Sequence, residues 1–128
     1  MNMACRVLLF CLCLVAPAWA AEPTQPEIQM GTTVICDTQK QMERFVVVFD
    51  GDYSAAMNKV NLEEKNPTAC IGATMAYVLG NELSKAKGFK GTYNIIRVLV
   101  LGITTPAGFQ PIQPAAFFSI LKSEEIDL

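Results

Sequence analysis

The sequence predicts an α+β domain: an antiparallel sheet of three to five strands, curled or barrel-like, with one or two N-terminal helices and one disulfide. Three observations point there. The stretch Tyr93 to Ile103, Tyr-Asn-Ile-Ile-Arg-Val-Leu-Val-Leu-Gly-Ile, is the densest β-branched and aliphatic run outside the N-terminus. Such residues suit an extended backbone. Both faces of its pleat are apolar after the first residues, so it reads as a strand covered on both sides. Next, Met42, Phe45, Val46 and Phe49 recur at i, i+3, i+4 and i+7, the apolar stripe of a helix lying on such a sheet. Finally, Cys36 and Cys70 remain once an export leader is removed, and two cysteines in an exported chain usually pair.

The leader is read from the first twenty residues. Met1 to Arg6 carries one positive charge, Val7 to Ala16 is an unbroken apolar run of ten, and Pro17 ends it. Ala18-Trp19-Ala20 then offers the small residues a signal peptidase requires. The run is shorter than the ~20 residues that span a bilayer. Residues 1–20 are therefore expected to be a signal peptide cut between Ala20 and Ala21, and the mature chain periplasmic or secreted. An uncleaved N-terminal anchor is the alternative. Phe10 before Cys11 and Leu12 before Cys13 lack the small residue of a lipoprotein signal.

Cleavage removes Cys5, Cys11 and Cys13 of the five cysteines. It also removes Arg6, leaving nine Lys and Arg against twelve Asp and Glu, a net charge of −3. Nucleic acid selects basic surfaces, so it is not an expected partner. No membrane span is expected after cleavage. The chain has no histidine, which excludes Ser-His-Asp and Cys-His catalysis and His-based zinc sites. No cofactor, metal ligand or catalytic residue is assigned.

In chain order, residues 21–31, with Pro23 and Pro26, read as a flexible N-terminal arm, and residues 32–128 as one globular domain. Thr32 to Cys36 is a short strand. Thr38 and Gln41 have capping-box spacing at the start of the helix that Gly51 can close. The competing reading is a strand from Arg44 to Phe49. Asp52 to Glu64 reads as a second helix, with Ala56, Met57 and Val60 on its apolar side and Asn58, Lys59, Asn61, Glu63 and Glu64 on its wet side. Asn66-Pro67 ends it. Ala69 to Leu79 is a strand, Gly80 to Gly91 a polar connection, and Thr105 to Gly108 a turn. Phe109 to Gln113 is extended but broken by Pro111. Ala115 to Lys122 is the last strand, beginning at a sheet edge, and Ser123 to Leu128 an acidic tail. Short connections make Ala69 to Lys122 a three-stranded meander. The helices would cover one of its faces, and the Thr32–Cys36 strand would lie beside the Ala69 strand if Cys36 bonds Cys70.

Candidate chemistry is sparse. Asp50-Gly51-Asp52-Tyr53-Ser54 begins like a calcium loop, but Ala55 and Asn61 stand where Gly and Glu are needed. Ser84–Lys87 and Ser119–Lys122 match Ser-x-x-Lys without the partner motifs of penicillin-binding enzymes. Lys85, Lys87 and Lys90, with Phe89 among them, are candidate contacts for an anionic ligand or partner. Arg97, the one charge inside the central strand, either snorkels near an edge, pairs with Glu43 or Asp50, or faces a ligand.

Cys36-Asp37-Thr38-Gln39 running into Gln41-Met42-Glu43-Arg44-Phe45, then Val60-Asn61, Ala69-Cys70, Arg97-Val98-Leu99-Val100 and Pro114-Ala115-Ala116-Phe117, resembles small exported proteins of Gram-negative bacteria. The resemblance covers most of the mature chain. It implies export and the cysteine pair, and it brings no activity and no catalytic residue.

The expected function is that of an exported, non-catalytic binding or interaction module, with an envelope protein or a second copy as partner. One alternative is a cell-envelope hydrolase using Asp37, Asp50 and Asp52, which needs two carboxylates facing across a cleft. The other is a homo-oligomeric structural protein joined through a sheet edge or face.

Overall fold

A computed structural model describes residues 27–123. The expected leader, its cleavage point, residues 21–26 and the tail 124–128 lie outside the described residues. The elements run β1 (Ile28–Cys36), α1 (Gln39–Val48), α2 (Tyr53–Glu64), β2 (Cys70–Gly88), β3 (Gly91–Thr105) and β4 (Gly108–Lys122). The strands form one antiparallel sheet in the order β1-β2-β3-β4. A single pair, Cys36 with Phe118, joins β4 back to β1 and completes a ring of bonds. One such pair makes a curled sheet and not a regular barrel. The expected α+β class, curled antiparallel sheet and Cys36–Cys70 disulfide are all present, with the sheet dominant.

The curl follows from apolar residues on both faces. Ile35, Met75, Ile96, Val98 and Val100 fill its inside, with Phe117 and Ile103 packed against them. The helices cover the outside, where Met42, Phe45 and Val46 of α1 and Ala56 and Val60 of α2 meet Val34, Cys36, Tyr93 and Ile95.

Local chemistry sets the helix ends. Thr38 Oγ1 accepts the Gln41 N–H at 3.1 Å, and Gln41 Oε1 accepts the Thr38 N–H at 3.1 Å. That is the expected capping box, and Phe49 is the C-cap, so the strand reading of Arg44 to Phe49 falls. Asp52 caps α2 by accepting the Ala55 N–H, and Lys65 closes it at φ 53°. Asn61, expected on the wet side, instead ties α2 to β2. Its amide donates to the carbonyls of Pro67 and Cys70 and accepts the Cys70 N–H at 2.7 Å.

Three sequence expectations need correction. Ile28 to Gly31, assigned to the arm, are strand, because β1 pairs with β2 from Ile28–Val78 to Cys36–Cys70. Most of the Gly80–Gly91 connection is the far half of β2, carried past two register shifts around Glu82. Its polarity misled because only every second residue is covered. Ser84, Ala86 and Gly88 face α1, and alternation turns Lys85 and Lys87 the other way. Gly88 lies so close to α1 that a Cβ would run into the Val46 carbonyl. Phe109–Gln113 and Ala115–Lys122 form one strand, because the β3–β4 ladder skips between Val100–Ala115 and Gly102–Pro111, leaving Pro114 in the break.

Candidate functional site

The site is where the ring fails to close. Beyond Cys36–Phe118, β1 and β4 have one further tie. The buried Ser119 hydroxyl donates to the Val34 carbonyl at 2.7 Å, with Thr33 Oγ1 3.0 Å from Ser119 Oγ. Past that tie the strands leave a cleft of about 670 Å³. Thr32, Thr33 and Val34 form one wall and Ile120, Leu121 and Lys122 the other. Tyr53 and Met57 of α2, Gly72 of β2 and Tyr93 of β3 complete the lining.

Each lining group has a structural reason for its place. The Asp52 cap starts α2 with Tyr53, whose ring packs on Phe49 with centroids 4.6 Å apart. Tyr93 meets the same Phe49 edge-on at 6.2 Å. Phe49 stacks on the buried Phe45 at 5.5 Å, so an aromatic run joins the core to the cleft. Gly72 lets Met57 lie close over β2, since its Cβ would already touch Met57 Cε at 3.5 Å. Among the described residues, Lys122 is the one charged residue in the lining and no carboxylate lines it.

The backbone also faces this cleft. The Asp37 N–H bonds to Ala69 O on the β2 side, whereas Cys36 pairs with β4 and Val34 O takes the Ser119 hydroxyl. Alternation then turns the N–H and C=O of Thr32, Met30 and Ile28 outward, away from β2. On β4 the Ser123 N–H bonds to Thr92 O on the β3 side, so Ile120 and Lys122 turn outward with Phe118. No backbone partner is recorded for these outward groups among the described residues beyond the Cys36–Phe118 pair.

The residues singled out in the sequence lie elsewhere. Cys36 and Cys70 are joined, and they head the β1–β2 ladder. Lys85, Lys87, Phe89, Lys90 and Arg97 do not converge. Lys85 and Lys87 are exposed on β2, Phe89 is 85% exposed at the hairpin tip, and the Lys90 side chain lies against Gly51. Arg97 makes no ion pair with Glu43 or Asp50. It is exposed and lies over Phe118 with Cζ 5.8 Å from the ring centroid. Glu43 instead accepts from Ser84 and Gln39.

The expected serines and aspartates are also engaged in structure. Ser84 lies on β2 and not in a loop, bonded to α1, and Ser119 is the seam tie. Asp50 accepts the Asp52 N–H in a turn, Asp52 caps α2, and Asp37 is exposed. None of the three aspartates lines the cleft.

One ion pair clamps the helices to each other. Arg44 Nε and a terminal guanidinium nitrogen donate to the two Glu63 oxygens at 3.0 and 2.9 Å. The hydrogen bonds and charge of Arg44 hold the Glu63 carboxyl below its ordinary range, and the Glu63 carboxylate raises Arg44. No helix among the described residues is long and apolar enough to cross a membrane.

Comparison of the chain with protein-family models, curated proteins and solved structures finds no match. The site stands on its own geometry. Sequence reading missed Thr32, Tyr53, Tyr93, Ser119 and Lys122 as one constellation. The signals were there but separate: a strand without a charge from Ile28 to Cys36, and prolines in the last strand at Pro111 and Pro114.

Proposed function

We propose that this chain is an exported, non-catalytic binding module whose ligand seat is the cleft between β1 and β4. The observation that carries this is the open seam. A sheet with apolar residues on both faces curls until its ends meet, yet among the described residues the hydrogen bonds across the seam are one backbone pair and those of the Ser119 hydroxyl to Val34 O and Thr33 Oγ1, and a cleft is left beside them. Its volume lies in the ~300–1,000 Å³ range of small-ligand sites, and its lining is that of such sites, apolar and aromatic with a few polar groups. Export is supported by the leader pattern and by a disulfide, which persists in oxidising compartments. The hydrolase alternative gains nothing from aspartates held in a turn and a cap.

The test is a fragment screen on the ¹⁵N-labelled mature chain. Binders are expected to move the amides of Thr32 to Val34 and Ile120 to Lys122, and to be displaced in a Thr32→Trp variant that fills the cleft from an exposed position. Binders that move only the Lys85–Lys90 hairpin would refute the assignment. The oligomer alternative keeps one observation of its own, the exposed Ile28 and Met30 on β1. A dimer in light scattering would support it.

A further inference from the structure

The walls of the cleft are strand edges, and what they offer is backbone. We infer that the ligand of the β1–β4 cleft is an extended polypeptide segment of a partner protein, which lies between the two strands and pairs with both. This rests on the cleft being the binding seat and specifies what it takes.

The polar groups decide the ligand class. Thr32 on one wall and Ile120 and Lys122 on the other direct backbone N–H and C=O groups outward, and Met30 and Ile28 continue the β1 edge beyond the cleft in the same orientation, none with a backbone partner among the described residues. An acyl chain or aromatic acid has too few donors and acceptors for two such rows. An extended peptide carries the complementary row on each of its own edges.

The pattern of edge protection agrees. Sheets commonly blunt their edges with proline, charge and bulges. β4 carries Pro111, Pro114 and a ladder break along the half away from the cleft. β1 carries no proline and no charge from Ile28 to Cys36. Where they border the cleft, β1 has no such protection and β4 carries only the charge of Lys122 at its end.

The lining then selects side chains. Alternate residues of the added strand point toward Tyr53 and Met57, which favour apolar groups. Lys122, with no carboxylate beside it in the lining among the described residues, favours one acidic residue at that end. A second copy's β1, uncharged from Ile28 to Cys36, sets nothing against Lys122, so a partner segment fits better than self-pairing.

The probe is a capped synthetic heptapeptide alternating threonine and valine with one glutamate, titrated into the ¹⁵N-labelled mature chain. Its controls are the same peptide N-methylated at alternate residues, a version with lysine for glutamate, and dodecanoate. Binding is expected to shift the Ile28, Met30, Thr32, Ile120 and Lys122 amides and slow their exchange. N-methylation is expected to weaken binding at least about tenfold, roughly what one net hydrogen bond is worth, and the lysine version to bind more weakly than the parent. Thr32→Pro removes the outward N–H and, with the side chain, the Thr32–Thr74 hydroxyl bond, while the β1–β2 backbone ladder stays paired; Thr32→Val removes that hydroxyl bond alone, so a loss in the folded proline variant that the valine variant does not show supports pairing. The N-methylated peptide gives the answer without any variant having to fold. Equal binding of parent and N-methylated peptides overturns the inference. Dodecanoate occupying the cleft while the peptide does not would also overturn it, leaving the cleft as the seat. If neither moves those amides, both readings fall. Shifts that depend on protein concentration alone, with a dimer in light scattering, would name a second copy as the occupant and overturn the partner segment.

Discussion

Replacing Ser119 with alanine asks how firmly the ring of strands is held. The Ser119 side chain is 2% exposed, and its hydroxyl donates to Val34 O at 2.7 Å. The change removes one oxygen, so cavity formation is minor and the cost lies in the stranded carbonyl. A net hydrogen bond is worth ~0.5–1.5 kcal/mol, and a buried acceptor left without a partner costs ~1–3 kcal/mol. If β1 and β4 stay together, Val34 O remains dry and the loss falls at the upper end, about 2–3 kcal/mol. If the seam opens, water reaches the carbonyl and the loss falls to about 1 kcal/mol. β1 is not released in either case, because it keeps its nine pairs with β2 and the Cys36–Cys70 bond. Urea unfolding with the disulfide intact gives the total, and native-state exchange at Cys36 and Phe118 separates the two cases. Slow exchange with a large loss means a dry closed seam, and fast exchange with a small loss means an opened one. A loss below about 0.5 kcal/mol, well short of the unpaired-acceptor cost, with unchanged exchange would show that Ser119 does not hold the seam.

Four further substitutions test the close packing, the disulfide and the Arg44–Glu63 ion pair. Gly88→Ala drives a methyl into the Val46 carbonyl, backbone that can yield only by lifting α1 off the sheet, so it is expected to cost at least ~2–3 kcal/mol. Gly102→Ala meets the ring of Phe109, which is 48% exposed and can swing aside, with Gln110 O at 3.1 Å; it is expected to cost about 1 kcal/mol, and equal losses in thermal melts would mean that the Phe109 ring is fixed. Replacing both Cys36 and Cys70 with serine opens a 34-residue separation, and chain entropy puts the loss at ~4 kcal/mol of a small domain's ~5–15 kcal/mol; a loss under 1 kcal/mol, far below that ~4 kcal/mol, would mean the unfolded chain is already constrained there. Glu63 is held below the ordinary glutamate value of 4.5 by its hydrogen bonds to Arg44, so its contribution is present above that value and lost as pH falls through the depressed one. Glu63→Gln should therefore shallow the acid limb of the stability curve and leave the limb above neutral pH unchanged, an effect kept small by exposure of both partners.

Much of the fold was legible because its determinants are local. The Thr38–Gln41 box, the Met42-Phe45-Val46 stripe and the run from Tyr93 to Ile103 each declare an element within a dozen residues. The second half of β2 was hidden, because Ser84, Ala86 and Gly88 are apposed to α1 by small size and one hydroxyl, not by apolar bulk. A small-residue stripe between lysines looks like a loop until the helix that covers it is known. Ile28 to Gly31 failed similarly, since their partner among the described residues lies far along the chain, on β2 between Met75 and Val78.

The site was illegible for a further reason: it is made by pairing that does not happen. No residue type announces that β4 will touch β1 once and then part from it. The arrangement is tenable because β1 draws its stability from the opposite edge. That edge carries the full ladder to β2 and the disulfide, and Asn61 pins Cys70 from α2 at both its N–H and its carbonyl. A strand so held has no energetic need of a second neighbour, which is what permits its outer edge to stay uncharged and proline-free. It follows that loosening β1 should impair the cleft before it unfolds the domain. In Asn61→Ala, three hydrogen bonds at the α2–β2 junction are lost, and cleft-binding probes should weaken under conditions where the far end of β3, anchored by the inner core, still resists exchange.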